Sequence, residues 1–189
     1  MQDFNRYTSQ VDLSPVIDFT LQTGTEKHYR KGDWFVRQGD LCRTIGFVAT
    51  GSFRYSCTDS AGEVKTVGYT FEKSFVGNYP ALLQQVPSSI DIQALCECTV
   101  YECTYHQLTC FFEQNAEHLQ WKQRITEVLL WEVYERMVAL YRQTPEERYK
   151  EILTQCPHLL QLVTLKELAS YLQIRPETLS RIRRRISGK

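Results

Sequence analysis

The chain of 189 residues contains no run of about 18 apolar residues, which excludes a membrane-spanning helix. Nine glycines and six prolines are too few for a fibrous or low-complexity chain. Seven cysteines, an odd number, cannot all pair within one molecule. The Cys-x2-Cys spacing of zinc and cluster sites is missing, and Cys96-x-Cys98 puts two thiols on the same apolar strand face. Buried, reduced core thiols are therefore expected, with Cys103 and Cys110 nearby adding no metal site. The four histidines, His28, His106, His118 and His158, are scattered, and none pairs with another at ligand spacing. Gly-x-Ser-x-Gly, phosphate-loop and zincin motifs are all absent. These gaps exclude the common hydrolase and metalloenzyme classes, so no catalytic residue, metal or cofactor is expected. The opening stretch has no apolar segment long enough for a secretory signal, which points to the cytoplasm.

What is present is unevenly distributed. Twenty-two Lys and Arg balance 22 Asp and Glu, yet six bases and a single acid fall between Ile174 and Lys189. A neutral chain with a basic end predicts a local polyanion site. From about Tyr29 to Tyr105, short aromatic and β-branched stretches such as Trp34-Phe35-Val36 and Phe53-Arg54-Tyr55 alternate with turn sequences such as Gln38-Gly39-Asp40 and Asp59-Ser60-Ala61-Gly62. That spacing predicts an antiparallel sandwich or barrel. The clearest strand runs from Ile90 to Val100, with Ile90, Ile92, Ala94, Cys96, Cys98 and Val100 on one face. Leu95 is the one apolar residue on the other.

From about Thr109 to Tyr141 the period turns helical. Trp121, Ile125 and Val128 form one apolar stripe, and Leu130, Tyr134, Met137 and Tyr141 form another. Two stripes predict two neighbours, one being the helix's own domain and the other a second copy of the chain. On this reading Trp121, Trp131 and Tyr134 fill those two seams. Thr144-Pro145-Glu146-Glu147 and Thr164-Leu165-Lys166-Glu167 each read as a capping box opening a helix, and Pro157 ends the first.

The stretch TLKELASYLQIRPETLSRIRRRI then carries two short helices. Leu165, Leu168, Ala169 and Leu172 lie on one side of the first, about Leu165 to Leu172. Gln173-Ile174-Arg175 make the turn, and Pro176 opens a second helix with Leu179, Ile182 and Ile186 facing inward. This is a helix-turn-helix pattern, whose second helix can enter the DNA major groove. Glu177, Ser180 and Arg181 point outward near its start and suit base edges. Thr178, Arg175, Arg183, Arg184 and Arg185 suit phosphates.

On these residues the chain resembles bacterial transcription factors of the Crp/Fnr superfamily. YRKGDWFVRQGDLCRTIGFVATGSFRYSCTDSAGEVKTVGYTFEKSFVG resembles their cyclic-nucleotide-binding β-roll, and Glu177, Ser180 and Arg181 match the Glu-x-x-Ser-Arg pattern of the Fnr-like branch. The resemblance implies an α+β fold: an antiparallel, jelly-roll-like β-roll over residues 1–108, a dimerisation helix over 109–143, and a winged-helix-like helix-turn-helix over 144–189. Too few residues lie between Pro157 and Thr164, and after Ile186, for a full wing. The implied partners are double-stranded DNA with TGA-like half-sites, a second copy of the chain, RNA polymerase and a small-molecule effector. Effector residues would be Gly77-Asn78 and Ser88-Ser89, where the family carries Gly-Glu and Arg-Ser/Thr. Lacking that arginine, the pocket has no bidentate partner for a cyclic phosphate, so cyclic AMP is not the expected effector. The competing reading is a small-molecule or protein-binding sensor without specific DNA binding.

Overall fold

Eight short strands, rich in Val, Ile, Phe and Tyr, build the first half of the chain in the computed structural model, which describes residues 4, 5, 7–157 and 159–186. They are β1 (Thr25–Tyr29), β2 (Trp34–Val36), β3 (Thr44–Thr50), β4 (Ser52–Thr58), β5 (Val64–Phe71), β6 (Phe75–Val76), β7 (Asp91–Ala94) and β8 (Cys98–Thr104). They form two four-stranded antiparallel sheets, ordered β1-β8-β3-β6 and β2-β7-β4-β5. Between the sheets, Val48, Phe53, Val76, Ile92 and Val100 are wholly buried. At the β3–β4 turn, Gly51 has φ +96°, and a Cβ there would lie 2.6 Å from the Glu97 carbonyl oxygen, so only glycine fits.

The single strand expected over Ile90–Val100 is instead two. β7 and β8 lie in different sheets, joined by a corner at 95–97. The alternation runs through the corner because both sheets line the same core. Ile92, Ala94, Cys98 and Val100 are buried in one cluster, with Ile90 and Cys96 packed against it. Leu95, the exception to the pattern, packs against a different cluster built by the C-terminal helices.

Two helices precede the roll, α1 (Tyr7–Gln10) and α2 (Ser14–Thr23), and α3 (Tyr79–Gln84) lies between β6 and β7. The helix expected from about Thr109 is divided into α4 (Tyr105–Phe112) and α5 (Ala116–Arg142). The break has a local cause: the Asn115 side chain accepts from the His118 amide at 2.9 Å and caps a new helix. Ile125 and Val128 of α5 are buried against Leu108, Phe111 and Phe112, so the first apolar stripe faces its own domain. The second does not. Leu130, Val133, Tyr134, Met137 and Tyr141 are all exposed, Tyr141 to 87%.

The remaining helices are α6 (Pro145–Gln155), α7 (Leu159–Leu162), α8 (Leu165–Tyr171) and α9 (Pro176–Ile186). Both expected capping boxes form, with Glu147 and Glu167 accepting from the amides of Thr144 and Thr164 at 2.8 Å each. Among the described residues no strand follows β8, in keeping with a reduced wing. Gln173 stands in the α8–α9 turn with φ +56°, the left-handed conformation usually left to glycine. Replacing Gln173 with Gly should relieve that strain and raise stability by up to about 1 kcal/mol, measured by thermal unfolding; a lower midpoint would contradict the left-handed assignment.

Candidate nucleic-acid interface

Helix α9 is two-sided because its sequence is. Leu179 and Ile182 are buried and Ile186 partly so, all in one cluster with Leu168 and Ala169 of α8, Leu172 just after it, and Tyr149, Ile152 and Leu159 of α6 and α7. Ala169, wholly buried, supplies the small contact where α8 and α9 cross, and its carbonyl accepts from the Ile174 amide at 3.0 Å. The Arg175 carbonyl accepts from the Thr178 and Leu179 amides at 3.0 and 3.2 Å, starting the helix at Pro176.

With one face committed to the core, the other has only solvent. Glu177, Thr178, Arg181, Arg183 and Arg184 are exposed, Arg175 is exposed just ahead of the helix, and Ser180 is half-buried. Glu177, Arg181 and Arg184, spaced i, i+4 and i+7, share a line along the outer face. Arg185, grouped by sequence with the phosphate contacts, pairs with Glu146 of α6, which also holds Lys150 at 2.8 Å. The acid at the start of α9 and the bases at its end also suit the helix dipole.

The helical head does not hang free. Helix α8 lies on the edge strand β5, where the Ser170 hydroxyl accepts from the Thr66 amide at 2.9 Å. Arg54 of β4 pairs with Glu167 of α8, both largely buried at 17% and 22% exposure, and donates to Gln93 at 3.0 Å. Glu167 therefore uses one oxygen to cap α8 and the other to dock it. The sequence reading found the cap and missed the docking. The available clue was Arg54, a cation set among strand residues, but nothing local names its partner 113 positions away.

The residues assigned to an effector divide. Asn78 and Ser88 are buried and satisfy each other: Asn78 Nδ2 donates to Ser88 Oγ at 3.0 Å, Asn78 Oδ1 accepts from the Ala81 amide at 3.3 Å, and Ser88 Oγ donates to the Ile90 carbonyl at 2.6 Å. The Gly77 amide donates to the Tyr55 hydroxyl at 3.3 Å. Burial holds the Tyr55 phenol in its neutral form by raising its pKa. Ser89 is exposed and joins none of these contacts. Asn78 and Ser88 thus direct these hydrogen bonds to protein groups, and the cassette has no arginine to pair with a phosphate.

Cys42, Cys98, Cys103 and Cys156 are buried, Cys57 and Cys96 half-buried, and Cys110 exposed with its sulfur 3.7 Å from the His106 ring. Burial pushes the Cys98 thiol up to about 11. Among the described residues no three His, Cys, Asp or Glu side chains are grouped to hold a metal ion. His118 stacks between Phe111 and Trp121, and His28 sits beside Glu26 and Thr99. His158 and Lys189 lie outside the described residues. Trp121 packs within its own domain, whereas Trp131 and Tyr134 are exposed.

An antiparallel roll is joined by one long helix to a helix-turn-helix. Residues 26–115 match the family model of the cyclic nucleotide-binding domain. Over most of its length the chain has the fold of solved Crp/Fnr-type transcriptional regulators. FixK2 from Bradyrhizobium japonicum superposes with TM-score 0.75 at 18% identity, over 88% of this chain and 86% of that one. The c-di-GMP-responsive global regulator CLP from Xanthomonas campestris gives TM-score 0.70 at 18% identity, over 94% and 92%. A Eubacterium rectale protein named for the Crp/Fnr family gives TM-score 0.70 at 12% identity, over 95% and 85%. No curated protein matches the chain by sequence. At such identities the likeness is one of fold, and function must be argued from this chain's own side chains.

The self-satisfied pair Asn78–Ser88 makes a direct prediction. Titrating cyclic AMP into the protein by calorimetry should show no micromolar binding; a micromolar dissociation constant would overturn this account of the roll.

Proposed function

We propose that the protein is a homodimeric, sequence-specific DNA-binding regulator of transcription, acting in the cytoplasm on a two-fold symmetric operator. The observation that carries the reading is the division of α9, with Leu179 and Ile182 buried while Glu177, Thr178, Arg181 and Arg184 are exposed. Arg181 can bond bidentately to a guanine edge, Glu177 can accept from cytosine N4, and Ser180 can serve either base. Arg175, Thr178, Arg183 and Arg184 contribute phosphate contacts, which fix register without reading sequence.

The exposed stripe Leu130, Val133, Tyr134, Met137 and Tyr141 on α5 supports the dimer, since so long a row of large apolar side chains is costly to leave in water. A two-fold pairing along this stripe makes residues 109–143 the dimerisation segment, with α4 closing the roll and α5 forming the seam. Residues 1–108 are then the sensor and 144–189 the reading head. Two such heads would address half-sites about 34 Å, or one DNA turn, apart. RNA polymerase is the downstream partner that transcriptional control requires. The bonded cassette at Gly77, Asn78 and Ser88 argues that any effector is not cyclic AMP.

Arg181→Ala should cost about 1–3 kcal/mol of operator affinity and relax base preference at one position, whereas Arg184→Ala should weaken all sequences alike and lower the salt slope by about one. Both are read by fluorescence anisotropy across a salt series. If Arg181→Ala left affinity and base preference unchanged, the reading role of α9 would be withdrawn.

A further inference from the structure

The segment ahead of the roll has no part in the reading above, yet its side chains are firmly held. Phe4, Asn5 and Tyr7 are all buried. The Phe4 ring meets Tyr69 and Phe71 of β5 edge-on, at 5.8 and 5.7 Å between centroids. Tyr171 of α8 lies 5.6 Å from the same ring, and the Arg136 guanidinium of α5 sits 5.1 Å over it. One side chain therefore touches the roll, the long helix and the helix-turn-helix at once.

Polar contacts fix the placement. Arg136 Nη2 donates to Asn5 Oδ1 at 3.1 Å, and Asn5 Nδ2 donates to the Tyr69 carbonyl at 3.4 Å and to Thr70 Oγ1 at 3.3 Å. The Tyr7 amide donates to Glu132 Oε2 at 2.9 Å, and the Tyr7 hydroxyl accepts from the Phe75 amide at 3.2 Å. Glu132 is buried on α5 and pairs with Arg136 through its other oxygen. Glu132 and Arg136 thus form a charged socket that the segment completes; without it, a buried carboxylate loses a donor. Burial pushes the Tyr7 phenol up to about 12, keeping it neutral in the socket.

A ligand can set the arrangement of three bodies only by contacting them differently in different arrangements. Phe4, Asn5 and Tyr7 make such contacts as part of the chain. We propose that Phe4, Asn5 and Tyr7 act as a built-in ligand, which occupies the junction of roll, long helix and helix-turn-helix and holds the head in its DNA-binding arrangement. The direction follows from ordering costs. A head already fixed to β5 and α5 loses less freedom when two heads engage two half-sites, so the docked segment favours binding.

The inference rests on the DNA-binding reading, and the test separates the two. The unaltered protein and Phe4→Ala are compared by anisotropy on the operator and by hydrogen exchange. Phe4→Ala should weaken operator binding at least about tenfold, the loss expected when the competent arrangement falls to about a tenth of the population. Exchange should rise in β5 and α8 together, with α7 unchanged. Unchanged or tighter binding by Phe4→Ala would overturn the proposal, as would exchange that rises only in residues 4–24. Should Phe4→Ala fail to fold, Asn5→Ala, which removes the polar links but little core volume, is read in the same way. If the unaltered protein binds no DNA, the reading of α9 falls, and the exchange pattern alone decides the role of the segment.

Discussion

The burial of Leu168, Ala169 and Leu172 against Leu179 and Ile182 is the constraint on which the C-terminal helices depend. Each of these side chains is almost wholly removed from water. At about 1.5–3 kcal/mol for a buried leucine or isoleucine, the cluster leaves α9 one rotation about its own axis. Given that rotation, the outward direction of Glu177, Arg181 and Arg184 is a geometric consequence. Among the described residues, the bases of α9 all lie on the face the core did not take.

A second consequence concerns how the head is joined to the rest. Glu167 ends a capping hydrogen-bond pair inside the head and an ion pair with Arg54 in the roll. A change in the roll that shifts Arg54 is therefore felt at the first turn of α8, one helix away from the exposed face of α9. The Ser170 hydroxyl on the Thr66 amide covers part of an edge strand that would otherwise present a free donor. The same contact thus protects a sheet edge and links the roll to α8. Elsewhere in the roll Asn78 donates to Ser88, and the Tyr55 hydroxyl accepts from the Gly77 amide.

What was legible in the sequence is what local chemistry determines. Thr144 with Glu147 and Thr164 with Glu167 act within one helical turn, and both boxes form as read. The two stripes on α5 were legible for the same reason, since 3.6-residue periodicity is local. The corner between β7 and β8 was hidden because it preserves alternation: residues on both sides face one core, and only Leu95 registered the change. The start of the long helix was misplaced because Asn115 interrupts an apolar rhythm that continues on both sides. Arg54 with Glu167, and Phe4 with Tyr171, were beyond reach, because each joins residues more than a hundred positions apart and neither partner constrains the other locally.

The measurement that bears most directly on the whole account is selection of random double-stranded oligonucleotides by the purified full chain. The account predicts an enriched motif with two-fold symmetry, its half-sites centred about ten base pairs apart. Failure to enrich any sequence, or enrichment of a single unpaired half-site, would contradict it.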